Sequence, residues 1–96
     1  MSAYVLVDTR INDPDAYEGY KAQAKPLAEK YGGRYLVRGG ELDVREDDLW
    51  SPTRLVLVEF PDMAAARAFL DSDEYAPVAA VRHANADCTT VIIDGA

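Results

Sequence analysis

Four side chains have the types and spacing to do chemistry: Asp8, Arg34, Arg38 and Glu59. Each lies in or beside a short apolar run, AYVLVDT, RYLVR or RLVLVEF, that reads as a β-strand. Alternate residues of a strand share a face. If Val56, Val58 and Phe60 turn towards a core, Glu59 shares the opposite face with Leu55 and Leu57. By the same parity Asp8 follows Tyr4 and Leu6, and the two arginines flank Leu36. Two acids and two arginines are therefore expected on one sheet face. One chemistry that fits is an anion site, in which Arg34 or Arg38 grips a carboxylate or enolate and Glu59 or Asp8 accepts a proton. The plainer reading of the same residues is an ion-pair network, with Arg38 bonded to Glu59, that satisfies buried charge and fixes an interface.

Tyrosines supply a second set. Tyr17, Tyr20 and Tyr31 fall on one helical stripe, where an apolar ring with a polar tip lines a ligand cavity or simply packs a core. Trp50, in the loop EDDLWSP, is a further ligand-binding candidate. His83 is the one histidine, so no multi-histidine metal site exists within one chain, and Cys88 is the one cysteine, so no internal disulfide forms. Cys88 reads as a small buried strand residue and His83 as a solvated one. The sequence has no glycine-rich phosphate loop, no paired Cys or Cys/His spacing and no nucleophile-elbow motif. A reaction here is expected to need no bound cofactor and no metal.

The elements that would position these groups are well punctuated. Ala3 to Thr9 is a strand, and Asn12-Asp13-Pro14 offers an N-cap with proline at the first helical position. Tyr17, Tyr20, Ala24, Leu27, Ala28 and Tyr31 recur at helical intervals up to the stop at Gly32-Gly33, and Pro26 predicts a kink near Ala22. Arg34 to Arg38 is a second strand, with Leu42 to Arg45 extending it or forming a short hairpin partner. Arg54 to Phe60 is the third, followed by a helix capped at Asp62. Ser72-Asp73-Glu74 starts a shorter helix through Arg82, with Pro77 tolerated in its first turn, and Cys88 to Ile93 is the last strand. The order is the split β-α-β of a ferredoxin-like α+β fold, βαββαβ with a four-stranded antiparallel sheet, in a single domain over residues 1–96.

With 96 residues the chain has room for one core, and its apolar half and charged quarter fit a folded domain. A net charge of -7 argues against nucleic acid and anionic membranes as partners. The absence of a basic, apolar leader and of an apolar run of membrane-spanning length points to the cytoplasm. Two helices cover one face of a four-stranded sheet, yet both faces of these strands are apolar. Leaving Tyr4, Leu6, Leu36, Leu55 and Leu57 in water forgoes roughly 1.5 to 3 kcal/mol each. A homodimer joined through that face removes the penalty, and closed two-fold dimers are the commonest soluble oligomers.

The phrases AYVLVD, NDPDAYEGYKAQAKP, GGRYLVRGG, RLVLVEFPDMAAARAF and DSDEYAPV resemble the domain of unknown function 1330 family, over nearly the whole chain. The resemblance implies a dimeric α/β barrel, in which two ferredoxin-like sheets face each other with the helices outside. Groups sharing that architecture include cofactor-independent monooxygenases, isomerases, polyketide cyclases and haem enzymes, and so broad a range selects none of them. Similar sequences read acidic-Gly-Asp-Trp before the proline and arginine. Here Glu46-Asp47-Asp48-Leu49-Trp50 lacks the glycine and is one residue longer, which alters any role of this loop as a lid. The functions left open are a cofactor-independent enzyme or binder for a small carboxylated or phenolic metabolite, and a non-catalytic structural or accessory homodimer.

Overall fold

In the computed structural model, which describes residues 1–96, the strands and helices follow the expected order. They are β1 (Ala3–Ile11), α1 (Pro14–Lys30), β2 (Arg34–Arg38), β3 (Leu55–Phe60), α2 (Met63–Asp71), α3 (Tyr75–Asn85) and β4 (Ala86–Asp94). The sheet runs β2-β3-β1-β4 with every pairing antiparallel, the ferredoxin-like arrangement. No helix is long and apolar enough to cross a membrane.

Local chemistry explains the joints. The Asp13 carboxylate accepts the Ala16 amide ahead of Pro14 in the first turn, which caps α1. At the other end the Gly33 amide reaches back to the Ala28 carbonyl at 2.8 Å and the Gly32 amide to Glu29 at 3.0 Å, with Gly32 at φ 91°. This is the αL helix stop that glycine adopts without steric cost. α1 runs through Pro26 to Lys30. Asp62 caps α2 in the same manner, and the Ser72 hydroxyl both closes α2 on Phe69 and accepts the amide of Tyr75 as α3 begins.

The helices cover one face of the sheet. Ala3, Val5, Val7, Val56, Val58 and Phe60 turn towards them and are buried. Phe69 lies between Phe60 and Tyr75, at ring separations of 5.6 and 4.5 Å, and joins sheet to helices. Cys88 packs at the margin of this core, and His83 is exposed. The opposite face carries Tyr4, Leu6, Leu55 and Leu57 in the centre, with Val37, Val91 and Ile93 each about two-fifths exposed (40%, 44% and 42%). Apart from Trp50, which lies beside Leu6 and Val91, nothing in the chain covers it.

Two expectations fail. Leu42 to Arg45 forms no strand: the chain between β2 and β3 is irregular, with Asp43 and Arg45 bonded to each other rather than to the sheet. More consequentially, β2 carries a bulge. Arg34 and Tyr35 stand opposite Glu59 and Val58, but Val37 and Arg38 stand opposite Leu57 and Val56, so Leu36 is an extra residue. One inserted residue reverses the parity beyond it. Arg34 stays on the open face, whereas Arg38 crosses to the helix side with Val56.

Candidate functional site

The sequence grouped Asp8, Glu59, Arg34 and Arg38, and the fold separates them into three places. Glu59 lies at one end of the open face, where its carboxylate accepts from the Arg34 guanidinium at 2.8 Å and, weakly, from the Tyr4 hydroxyl at 3.4 Å. The expected Arg38–Glu59 bond is therefore replaced by Arg34–Glu59, because the bulge at Leu36 removes Arg38 from that face. The Arg34 contact, then the Ser2 hydroxyl, holds Glu59 below the usual carboxylate range. Asp8 pairs with Leu55, four residues along β1 from Tyr4, the partner of Glu59. At the rise of an extended strand this puts the two acids about 13 Å apart.

Asp8 anchors the loop. Its Oδ2 accepts the Trp50 indole N–H at 2.6 Å, and its Oδ1 accepts the amides of Thr53 and Arg54 at 2.9 and 3.0 Å. Burial opposes its charge, but the bonds from Trp50, Arg54 and Thr53 outweigh that and leave its pKa lowered. Trp50 is thereby drawn to the open face, beside Leu6 and Val91, away from the other ligand-binding candidates.

Of those others, Arg34 stays with Glu59 on the open face, while Tyr17 and Tyr20 come together on the helix side. Tyr17, Tyr20, Tyr35, Arg38 and Arg54 wall a recess of about 30 Å³ between α1 and the sheet. The Arg38 guanidinium stacks 4.9 Å above the Tyr35 ring and donates to the Lys21 carbonyl at 3.1 Å. Arg54 lies 5.8 Å from the Tyr17 ring. Neither arginine has a carboxylate within ion-pair distance. A broader groove of about 340 Å³ beside Pro26 shares Lys21 and Arg38 with the recess and adds Lys25, with Glu18 its one acid. Burial raises the pKa of Tyr20 and of Tyr35, so both phenols stay protonated. The Tyr20 hydroxyl is bonded to that of Tyr75 at 2.8 Å. Donors and cations converge on this groove, and its one carboxylate, Glu18, is bonded to Lys21 at 3.1 Å. It can bind and orient an anion.

Tyr17 is buried and Tyr20 packs against the core, and both line the recess, while Tyr31 bonds to Glu74 outside it. Lys21, Lys25, Tyr35 and Arg54 were not singled out from sequence. One available signal was GGRYLVRGG itself, since Gly39 has φ 72° and a side chain there would strike the Arg54 guanidinium, with Nε only 2.7 Å from its Cβ. Gly39→Ala is thus expected to destabilise the protein by roughly 1 to 2 kcal/mol, through αL strain and displacement of Arg54. Urea denaturation measures this, and an unchanged midpoint would show that Arg54 yields freely.

The fold is shared with several solved structures. A protein of unknown function from Rhodopseudomonas palustris is 20% identical, with a TM-score of 0.75 over 99% of this chain and 82% of that one. The cofactor-independent oxygenase SnoaB from Streptomyces nogalater is 15% identical, with a TM-score of 0.73 over 99% of this chain and 93% of its own. A dimeric ferredoxin-like protein of unknown function from Jannaschia sp. CCS1 is 18% identical, with a TM-score of 0.71 over 99% of this chain and the whole of that one. At these identities the likeness is one of fold. Among curated proteins none matches the sequence. The model of the domain of unknown function DUF1330 matches residues 2–96, and the chain belongs to that family.

Proposed function

We propose that this protein is a homodimer, joined through its open sheet face, in which each protomer binds a small carboxylated or phenolic metabolite in the groove between α1 and the sheet. The observation that carries the binding role is the gathering of Lys21, Lys25, Arg38 and Arg54 around the recess and the neighbouring groove, against the single acid Glu18, in a chain of net charge -7. Such a local reversal of sign attracts an anion. The recess has the size of a carboxylate group, which Arg38 and Arg54 would hold, and the wider groove takes the rest of the ligand alongside Lys21. Tyr20 and Tyr17 supply the apolar wall. Any chemistry on the ligand would be of the kind that needs no bound cofactor, as in the structurally similar SnoaB, with the cations stabilising a carboxylate or enolate. Asp8 and Glu59, both lowered in pKa, are weaker bases than ordinary carboxylates and lie towards the dimer face. Dimerisation draws on the uncovered apolar face and on the dimeric relative from Jannaschia.

The test is titration calorimetry with sodium benzoate on wild type and Arg38→Met. Arg38 is exposed, and its stacking on Tyr35 is worth about 0.5 to 1 kcal/mol. The substitution should therefore lower the melting temperature by no more than about 8 °C while abolishing benzoate binding. Equal binding by the two proteins would remove Arg38 from the site. A second reading, an accessory dimer without a ligand, draws on the narrowness of the recess, about 30 Å³. An absence of benzoate binding by the wild type would favour it.

A further inference from the structure

Arg82 is the one charged side chain in the core. It is 6% exposed, and no carboxylate lies within ion-pair distance of it. Its guanidinium makes a 3.4 Å contact with the Thr90 hydroxyl and a 3.2 Å contact with His83 Nε2, and its Nε has no partner at all. A buried cation with an orphaned N–H is costly, and chains tolerate one where function requires it. The position of Arg82 suggests the requirement. Its guanidinium lies 5.8 Å from the ring of Tyr20, which is hydrogen-bonded to Tyr75 and lines the anion recess.

We infer that Arg82 is a positioning residue of the anion site, a buried positive charge behind Tyr20 whose compensation comes from the bound ligand rather than from the protein. The inference rests on the binding role proposed for the recess. The Arg82 Nε–H has no acceptor, and the Tyr20 hydroxyl in front of it is bonded only to that of Tyr75. An anionic ligand group in the recess offsets the charge of Arg82 across the Tyr20 ring. Arg82 acts on it through Tyr20, so it needs no contact with the ligand.

A structural arginine and a functional one respond oppositely to Arg82→Met, which keeps the aliphatic stem and removes the charge. If Arg82 serves the site, the ligand-free variant melts at or above the wild-type temperature, because a buried unpaired charge has gone. Its affinity for sodium benzoate then falls about tenfold, and Arg82→Lys, which restores a charge, regains part of that affinity. A variant that melts well below wild type or fails to fold would make Arg82 a structural residue and overturn the inference. So would Arg82→Met binding benzoate as tightly as wild type, with the recess reading intact. A wild type that takes up no benzoate overturns the recess reading and this inference together.

Discussion

Leu57→Asp is expected to break the proposed dimer, leaving a monomer in sedimentation velocity at micromolar concentration or an unfolded chain. Leu57 sits at the centre of the open face, opposite Leu6 on β1 and Val37 on β2. In an isolated protomer its side chain is half-buried, and a carboxylate there still reaches water, so the cost to the monomer fold is about 1 kcal/mol. In a dimer that closes two such faces the same carboxylate is desolvated twice across a two-fold axis with no cation opposite it. That costs upwards of about 4 kcal/mol. The contrast makes the experiment specific: loss of association without a matching loss of secondary structure identifies the face. Wild-type protein should also show a melting temperature that rises with concentration, as an associating system must. A stable dimer carrying Leu57→Asp would place the interface elsewhere on the molecule.

The dimer argument was available from sequence because it needs only strand parity, and parity held wherever strands paired without interruption. Val5 and Val7 on β1 and Val56, Val58 and Phe60 on β3 face the helices as alternation requires. The helix limits were legible for a similar reason, since Asp13, Asp62 and Gly32-Gly33 act through local backbone hydrogen bonds. The site was not legible in the same way. Arg34 and Arg38 look equivalent in RYLVR, and only pairing with β3 reveals that Leu36 is bulged out and that Arg38 faces α1. A bulge is decided by tertiary pairing and leaves no mark on so short a segment. Arg54, read as the first residue of the third strand, shares the parity of Val56 and Val58, and that parity correctly puts it on the helix side. Arg82 was read as an ordinary residue of a short helix, because nothing in VRHA indicates that α3 turns it towards β4.

Asp8→Ala should release the long loop and cost about 2 kcal/mol of stability. A carboxylate that accepts one indole and two backbone N–H groups makes bonds stronger than neutral ones, though partial exposure to water screens them and keeps the total modest. Removing it leaves the Thr53 and Arg54 amides to find water and frees Trp50 from Leu6 and Val91. Trp50 is the sole tryptophan, so its fluorescence reports the release directly. The pH dependence follows from the lowered pKa of Asp8 in the folded protein. Because the unfolded pKa is the higher of the two, this carboxylate's contribution is present in full above about pH 4 and lost as pH falls through the folded value. Glu59, held down by Arg34, adds a loss in the same direction and over the same acid range. Wild-type protein should therefore show a change in Trp50 emission on acidification that begins below about pH 4, ahead of global unfolding. Asp8→Asn keeps the size of the side chain but not the charge, so it should resemble acidified wild type at neutral pH and lose the acid transition in Trp50 emission. Its melting temperature should also depend less on pH between neutral and acid than that of the wild type. If instead Asp8→Asn retains both the wild-type emission at neutral pH and its acid transition, the loop is held by contacts other than this carboxylate.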